Sequence, residues 1–353
     1  VSGIRDCWFD RIDFQQIEGF SGIRKETVMS QDTHHYQRIA AIFREHESFI
    51  VSAHIRADGD AIAALCFVDS LLKRLGKTVL AVLHDTLPDQ KYSFLESFHD
   101  IRPVSSVLCP SDAILVLLDT PTRERMGDVA EWLLPQTRII NIDHHVSNTG
   151  FGFIDIVDAA ASSTSEMLMQ FWDLFPDLMD EKMAEMLFTG ICFDTGRFRF
   201  SNTTQSTFRI AGRLVEAGVR PEQITEAVFY QWSLIHARTI GRALNNLQVC
   251  KQGKVAVMLL DHEFFAQNPD GWKEVEGISD LGTSIAGIEI ALFFKEIEPQ
   301  RFKVSLRSAD HWDVGRIASA FGGGGHVKAA GCEIRGEFDS ALRRLLAEID
   351  LAE

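Results

Sequence analysis

The sequence contains no pair of cysteines in the Cys-x-x-Cys spacing, which metal-binding and redox motifs commonly use. Its six cysteines are widely scattered, and most of them lie in apolar stretches typical of strands or helices. They are Cys7, Cys66, Cys109, Cys192, Cys250 and Cys332. We therefore expect reduced cysteines that pack in a core, as in a cytoplasmic protein.

Long apolar runs, low-complexity segments and internal repeats are absent as well. No apolar stretch reaches the roughly 20 residues that a membrane-spanning helix needs. The N-terminal segment VSGIRDCWFDRIDF has no apolar core and carries both charge signs, so it does not resemble a secretory signal. The sequence thus predicts neither a membrane span nor a secretory leader.

The chain is also short of positive charge. Its 35 Lys and Arg residues face 50 Asp and Glu residues, which gives a net charge of −15. This balance argues against electrostatic adhesion to long nucleic acid or to an anionic membrane. It remains compatible with a short phosphorylated substrate, because divalent cations bound to acidic residues would cancel part of the negative charge.

The 353 residues suffice for two domains with separate cores. Nearly continuous apolar strands alternate with helical patterns in the first part of the chain, which predicts an α/β fold with a parallel sheet covered by helices on both faces. The last hundred or so residues favour a smaller α+β domain. The predicted parts are an N-terminal extension at 1–32, the α/β domain at 33–220, a helical connector at 221–250 and the α+β domain at 251–353.

Apolar periodicity also gives the individual elements. Strands are predicted at 48–54, 78–83, 113–119, 138–143, 254–260, 288–294 and 301–307. Helices are predicted at 33–47, 61–75, 88–98, 161–192, 204–217, 221–250 and 314–321.

Acidic and imidazole side chains stand at four predicted strand or helix ends. Each cluster alone also fits an ordinary role, namely a helix cap at Asp60, turns at Asp119 and Asp194, or a solvated loop. Together they predict one site, because the carboxyl ends of parallel strands open into a shared crevice. The candidates are His54, Asp58 and Asp60, then Asp119, then Asp143, His144 and His145, and finally Asp194.

Carboxylates combined with neutral imidazoles favour Mn²⁺ or a similar divalent ion, and the lack of cysteine among them argues against a structural zinc site. The candidates outnumber the ligands that one ion needs. Two ions about 3.5–4 Å apart that share a carboxylate are the arrangement used for phosphoryl hydrolysis. The sequence therefore predicts a two-metal hydrolytic centre.

A glycine tract marks the second domain, in the run Phe321-Gly-Gly-Gly-Gly-His326-Val-Lys328. Consecutive glycines expose backbone N–H groups to a phosphate, and His326 and Lys328 would add charged donors. Arg307, at the end of a predicted strand, is a further candidate. The alternatives are a flexible hinge loop for the tract and an ordinary surface arginine for Arg307.

Five ordered motifs resemble the DHH phosphoesterase superfamily, in the branch that carries a DHH-associated C-terminal domain. The motifs are HxxxDGDAI, LLDTPTRER, DHHxxNxxFG, DTGRFRxxNTT and GGGGHxxAAG, and they extend from His54 to Gly331. The resemblance implies a parallel-sheet catalytic domain followed by a smaller substrate-binding domain.

The resemblance also implies roles for single residues. One ion would be held by His54, Asp58 and Asp119, and the second by Asp60, Asp119, His144 and Asp194. His145 would face the scissile phosphate, and Asp143 would orient the histidines. Arg125 matches a family arginine, with Arg123 as a competitor for that role. The substrate-binding motif is matched by Arg307, Gly323, Gly324, Gly325 and His326.

One motif departs from the family pattern. Much of the family reads His-x-Asn-Pro-Asp-x-Asp, and this chain has Arg56-Ala57 in place of Asn-Pro. Because every expected ligand is present, the departure bears on the rigidity of the loop and on substrate preference more than on activity.

The chain is similar to the short bacterial and archaeal group that trims oligoribonucleotides and dephosphorylates 3′-phosphoadenosine 5′-phosphate (pAp). The implied cofactors are two Mn²⁺ ions, with Mg²⁺ or Co²⁺ as substitutes, and the resemblance allows a homodimer. The alternatives are an exopolyphosphatase, an inorganic pyrophosphatase, and a non-catalytic nucleotide-binding protein. A Ser-Arg-Lys-Lys signature of the pyrophosphatases is absent from the sequence.

Overall fold

The structure is a computed structural model that describes residues 31–85, 88–110, 112–134, 136–272, 274–275, 277–309, 311–325 and 327–352. The predicted N-terminal extension, except for its last two residues, lies outside the described residues. The chain divides after Val228 into two compact units.

The first unit contains a six-stranded sheet and seven α-helices within its described residues. The strands are β1 (Ser48–Ala53), β2 (Thr78–Leu83), β3 (Arg102–Pro103), β4 (Ile114–Leu118), β5 (Ile139–Asp143) and β6 (Ile154–Val157). The helices are α1 (Gln31–Glu45), α2 (Gly59–Arg74), α3 (Thr164–Leu168), α4 (Gln170–Leu174), α5 (Glu181–Asp194), α6 (Gln205–Glu216) and α7 (Pro221–Thr225).

The strand order of this sheet is β3-β2-β1-β4-β5-β6, and every neighbouring pair is parallel. The register places Ala53 of β1 beside Leu118 of β4, and Leu118 beside Ile142 of β5. The order reverses between β1 and β4. Because a crevice forms outside the carboxyl ends of strands at such a reversal, the candidate residues that follow β1, β4 and β5 lie at the expected place.

The sheet is buried on both faces. All five residues of β4 and of β5 are buried, as their nearly continuous apolar sequences predict. Helix α2 packs against β1, β2 and β4. Met126 and Val129, from the 3-10 segment Arg123–Trp132, pack on a cluster with Ile50 and Leu115. The predicted α/β fold class is confirmed.

The second unit contains a mixed sheet with the order β11-β12-β10-β9-β8-β7, in which only β8 and β9 run parallel among the described pairs. Its strands are β7 (Gln248–Cys250), β8 (Val255–Leu260), β9 (Ile290–Glu298), β10 (Arg301–Ser308), β11 (Gly324–Gly325) and β12 (Ala329–Arg335). Its helices are α8 (Leu234–Asn245), α9 (His262–Gln267), α10 (Ile278–Thr283), α11 (Val314–Ser319) and α12 (Phe338–Ala352). This is the α+β architecture that the sequence predicts.

The predicted helix at 88–98 is wrong. Short 3-10 turns occupy this region, at Gln90–Tyr92 and Phe98–Asp100. Its buried residues Tyr92, Leu95 and Phe98 recur every third position, and backbone bonds of the same spacing join them. A spacing of three matches the 3-10 helix and not the α-helix.

Two long predicted helices are interrupted. The segment 161–192 forms α3, α4 and α5, with a break at Phe175-Pro176, because proline cannot donate an interior helical bond. The segment 221–250 forms α7, a π-helical turn at Glu226–Tyr230, then α8 and β7. Ser233 caps α8 by accepting from the backbone N–H of His236, so α8 begins as a separate helix.

The described cysteines are free thiols. Cys66, Cys192 and Cys332 are buried, as expected, whereas Cys109 is exposed and Cys250 is partly exposed. The expectation of a core position is therefore wrong for Cys109, which lies in a loop before β4, and Cys7 lies outside the described residues. Within the described part of the chain, no helix combines the length and the apolar character that crossing a membrane requires.

Candidate metal centre

The side chains of the candidate centre come from five places in the first unit, which are the ends of β1, β4 and β5, the start of α2 and the end of α5, where Asp194 lies. His54 follows β1, Asp119 follows β4, and the histidine pair follows β5. Asp58 caps α2 by accepting from the backbone N–H groups of Asp60 and Ala61 at 3.1 and 3.2 Å. The helix cap is therefore Asp58, and not Asp60 as the structural alternative assumed.

Asp119 occupies the middle of the cluster. Its carboxylate oxygens lie 3.3 Å from Nε2 of His54 and 3.5 Å from Nε2 of His144. Its φ angle is 54°, a left-handed conformation that is uncommon for an L-residue with a side chain. Such strained conformations are common at functional sites. Here the carboxylate of Asp119 lies between the two histidines.

Three groups of potential ligands have their ligand atoms within 4.8 Å of one another. His144 reaches Asp194 at 3.0 Å, and His54 lies 3.9 Å from Asp58. All six residues predicted as metal ligands are thus brought together, and each belongs to at least one group. The groups are His54, Asp58 and Asp119; Asp60, His144 and Asp194; and Asp119, His144 and His145.

Asp60 is fixed by the start of α3. Its two carboxylate oxygens accept from the backbone N–H groups of Thr164 and Ser165 at 2.7 and 3.0 Å. The Thr164 hydroxyl donates to Asp119 at 3.1 Å. Our sequence interpretation missed these residues. The run Ser-Ser-Thr-Ser-Glu at 162–166, ahead of an apolar helix, has the form of a capping box and could have indicated them.

Asp143 binds side chains instead of joining any described ligand group. One oxygen lies 2.7 Å from Nδ1 of His145, and the other accepts from the Asn148 amide at 2.8 Å. Asn148 also donates to the buried Asn141 at 2.8 Å. These bonds fix the orientation of the His145 ring. The missed signal was Asn141, a polar residue inside an apolar strand.

The two metal-candidate histidines hold protons strongly in the metal-free protein. Burial alone would lower the pKa of His54, but the hydrogen bond and charge of Asp119 raise it to about 9. Burial would also lower the pKa of His144, but the hydrogen bond that its ring donates to Asp194 and the charge of Asp119 raise this pKa to about 10. The carboxylates thus provide an environment that stabilises cations.

The pKa values of Asp60 and Asp119 shift in opposite directions. Burial, followed by the charge of Asp119, raises the pKa of Asp60 to about 7. Burial would also raise the pKa of Asp119, but its bond to His54 and the charges of the histidines lower it to about 2. Packing several carboxylates into a buried site without compensating charge is unfavourable. The donor set and its electrostatics therefore fit bound divalent cations.

The two candidate arginines, Arg123 and Arg125, contact different parts of the first unit. Nη2 of Arg125 lies 3.0 Å from Nδ1 of His54, and the backbone oxygen of Arg125 accepts from Ile55. Arg123 instead donates to the backbone of Phe151 at 3.3 Å. Arg125 is therefore the arginine that reaches the cluster.

The substrate-binding candidates of the second unit lie around β10, β11 and β12. Arg307 is the last residue but one of β10 and donates to Asp280 at 2.8 Å. Gly324, Gly325 and Lys328 are exposed, and Gly323 is partly exposed. A Cβ at Gly323 would strike the Gly331 carbonyl, so close strand packing also requires this glycine. His326 lies outside the described residues.

Comparison with known proteins agrees with this geometry. Residues 48–191 match the model of the DHH family N-terminal domain, and residues 252–352 match that of the DHHA1 domain. The bifunctional oligoribonuclease and PAP phosphatase NrnA of Thermus thermophilus is 30% identical over 303 residues, which cover 85% of this chain and 88% of that protein.

A second relative of the same name, from Bacillus subtilis, is 27% identical and covers 86% of this chain and 94% of its own length. Among solved structures, an exopolyphosphatase-related protein from Bacteroides fragilis superposes with a TM-score of 0.85 at 24% identity, over 92% of this chain and 97% of that one. The fold, the two matched domains and the relative from Thermus thermophilus lead to one conclusion: this chain belongs to the DHH family of phosphoesterases, in the branch that carries a DHHA1 domain.

Proposed function

We propose that this protein is a two-metal, Mn²⁺-dependent phosphoesterase that hydrolyses short oligoribonucleotides to mononucleotides and pAp to AMP. The observation that carries the proposal is the clustering of six metal-type side chains, Asp119 among them, at the switch point of a parallel sheet. The names of the relatives from Thermus thermophilus and Bacillus subtilis, which state both activities, support the choice of substrates.

His54, Asp58 and Asp119 would hold one ion, and Asp60, Asp119, His144 and Asp194 the other. The position of Asp119 between the two histidines supports its role as the bridging ligand. Carboxylate oxygens and imidazole nitrogens suit Mn²⁺, with Mg²⁺ or Co²⁺ as substitutes. When bound, the ions would lower the pKa of the attacking water and stabilise negative charge on the phosphoryl group.

His145 would contact the scissile phosphate. Its Nδ1 atom is engaged with Asp143 at 2.7 Å, which makes Nε2 the atom that meets a phosphoryl oxygen. Burial opposes protonation, but the bond to Asp143 and the charge of Asp119 raise the pKa of His145. A protonated His145 would donate to the oxygen on which charge develops, and Arg125 would add a second positive charge nearby.

The second unit would hold the far end of the substrate. Arg307 and Lys328 supply positive charge, and the exposed glycines of β11 offer backbone N–H groups to a phosphate. Asp280, which accepts from Arg307, would give way to that phosphate. His326 stays a prediction from the sequence.

The proposal extends to the setting of the enzyme. The net charge of −15 supports a short substrate over a long duplex. The free thiols of the described cysteines support a cytoplasmic location. A homodimer stays a prediction from the sequence.

The test is a substrate panel with the purified protein and Mn²⁺. The panel consists of an RNA dimer, labelled at either end, together with pAp, polyphosphate and pyrophosphate. We expect mononucleotides from the dimer and phosphate from pAp. Metal ions contribute several kcal/mol to stabilising the transition state, so Asp119→Ala should reduce kcat by at least about 100-fold.

The matched control is Asp173→Ala, which removes an exposed carboxylate that pairs with Arg213. Phosphate release from polyphosphate or pyrophosphate alone would replace the proposal with its enzymatic alternative. Tight dinucleotide binding without hydrolysis would indicate a nucleotide-binding protein. Undiminished turnover by the Asp119 variant would refute the two-metal assignment.

A further inference from the structure

The five-residue loop between β1 and α2, residues 54–58, carries the candidate ligands His54 and Asp58, and Asp60 follows in the first turn of α2. At its centre, Arg56 has a φ angle of 56°. An L-residue with a long side chain keeps a left-handed conformation only where its surroundings impose it, because the conformation is strained. Something outside the loop must therefore hold this turn.

Asp85, directly after β2 and His84, makes that contact. Its Oδ2 atom accepts from the backbone N–H of Arg56 at 2.6 Å and from that of Ala57 at 3.2 Å. Strand β2 is the neighbour of β1 in the sheet. The carboxylate of Asp85, just after β2, therefore binds the turn that follows β1. Bonds from backbone N–H groups to a carboxylate are charge-assisted and strong.

The turn is held from a second direction as well. The N–H of Ile55 donates to the backbone oxygen of Arg125 at 2.8 Å, and Nδ1 of His84 accepts from the N–H of Asp128 at 3.2 Å. The 3-10 segment Arg123–Trp132 thus contacts both the loop and the residue that follows β2. Of these contacts, only those of Asp85 act on the left-handed residue itself and on the residue after it.

We propose that Asp85 is a positioning residue of the metal centre, which fixes the left-handed turn at Arg56 so that His54 and Asp58 reach the same ion. This inference rests on the proposed function, because it assumes that these two residues bind metal. The Ala57 N–H exists only because residue 57 is not proline. The hydrogen bonds that Asp85 accepts from Arg56 and Ala57 therefore restrict the loop in this chain, as a proline ring would restrict it covalently.

The test measures Mn²⁺ binding directly, by the electron paramagnetic resonance signal of free Mn²⁺, alongside turnover. Loss of a side chain that orients metal ligands weakens metal affinity about 10- to 100-fold, and we expect a loss in this range for Asp85→Ala. Asp85→Asn keeps one oxygen without the charge and should lie between Asp85→Ala and wild type. At saturating Mn²⁺, kcat of both variants should return close to the wild-type value, since Asp85 acts through the ligands.

Glu296→Ala is the matched control. Glu296 also accepts from two backbone N–H groups, those of His262 and Gln300, but it belongs to the second unit, whereas all six candidate ligands belong to the first. This variant should lose thermal stability and keep its Mn²⁺ affinity. If Asp85→Ala does not fold, a loss of Mn²⁺ affinity in Asp85→Asn supports the inference and wild-type affinity overturns it.

Failure of the positioning role can be distinguished from failure of the proposed function. Equal Mn²⁺ affinity of the wild type and Asp85→Ala overturns the positioning role alone. A wild-type protein that binds no Mn²⁺ overturns the proposed function, and this inference with it.

Discussion

At the scale of single residues, Asp143 is proposed to orient the ring of His145 without binding metal itself. Its carboxylate is buried and engaged by His145 and Asn148. Asp143→Asn can no longer accept from both partners, so His145 loses its fixed ring orientation. We expect kcat to fall about 100-fold or more, as for other positioned proton-handling groups, with the Mn²⁺ affinity unchanged. Steady-state kinetics and Mn²⁺ titration measure the two quantities separately.

A parallel loss of Mn²⁺ affinity in Asp143→Asn would make Asp143 a ligand, contrary to its proposed role. Leu108→Ala is a suitable control, because this exposed side chain is 92% accessible and lies in a loop without candidate residues. It should leave both quantities unchanged.

Metal binding should release protons. His54 and His144, with pKa values of about 9 and 10 in the metal-free protein, carry protons at pH 7, whereas an imidazole binds metal in its neutral form. The apparent Mn²⁺ affinity should therefore fall as the pH is lowered from 9 to 6. Calorimetric titration in two buffers of different ionisation enthalpy gives the number of protons released. Equal heats in both buffers would contradict the prediction.

The same shifts affect stability. A histidine whose pKa is raised on folding contributes stability that is fully present below its unfolded value of about 6.5. This contribution is lost as the pH rises through 9 and 10. The metal-free protein should thus show a falling Tm between pH 7 and 10, while added Mn²⁺ should raise the Tm most at the alkaline end. Thermal unfolding with and without Mn²⁺ tests this, and a Tm of the metal-free protein that rises over the range would contradict it.

At the scale of elements, the contact between α5 and α3 depends on Gly190. A Cβ at this position would collide with the Ser165 hydroxyl and with the Asp60 carboxylate. Gly190→Ala should therefore push α3 away from α5, destabilise the fold by about 1–3 kcal/mol through overpacking, and weaken Mn²⁺ binding through Asp60. Urea unfolding and Mn²⁺ titration measure the two effects.

Gly212 provides the comparison within α6, since a Cβ there meets no atom within 4 Å. Gly212→Ala should be neutral or stabilise the protein by up to about 1 kcal/mol, because alanine loses less conformational entropy in a helix. Equal stability losses in both variants would show that helix propensity and not packing decides the effect at Gly190.

The elements also show what could be predicted from the sequence. Strands β1, β2, β4 and β5 were predicted nearly to the residue, because a buried parallel strand is almost wholly apolar and leaves a clear pattern. The long helices at 161–192 and 221–250 were not, because caps such as Ser233 and the turn at Phe175 divide stretches whose apolar content is continuous. Periodicity reports the buried face of a helix, and it does not report where one helix ends and the next begins.

The ligands of the candidate site followed from their positions at strand ends, but their supporting residues did not. Thr164 and Ser165 reach Asp60 through backbone N–H groups, and the capping-box pattern ahead of α3 was the one signal for them in the sequence. Asp85 acts on a neighbouring loop, and such a contact leaves no residue pattern that a single sequence displays. The cap of α2 is Asp58 and not Asp60, as the sequence alternative had it. Either carboxylate could have capped the helix, and the sequence alone does not distinguish them.

At the scale of the whole molecule, the proposed work is divided between the two units. Arg307 of the second unit should bind substrate without influencing the metal centre. A lost hydrogen bond to a charged group costs about 1.5–3 kcal/mol, so Arg307→Ala should raise KM about 10- to 100-fold and leave the Mn²⁺ affinity unchanged. Initial rates on an RNA dimer, together with Mn²⁺ titration, test this division.

Arg316→Ala is the control for Arg307, because it removes an exposed arginine from α11 of the same unit. An unchanged KM in Arg307→Ala would show that Arg307 does not bind substrate. It would then be an ordinary surface arginine that pairs with Asp280.

The strand order of the first unit also has a consequence for how the enzyme comes into being. Each group of candidate ligands joins residues from at least two distant segments, because β1 must pair with β4 and β4 with β5 before Asp119 meets either histidine. Such non-local pairings form slowly. A nascent or partly unfolded chain therefore has separate carboxylates and imidazoles but no assembled ion site, and the candidate ligands meet only after β1, β4 and β5 have paired.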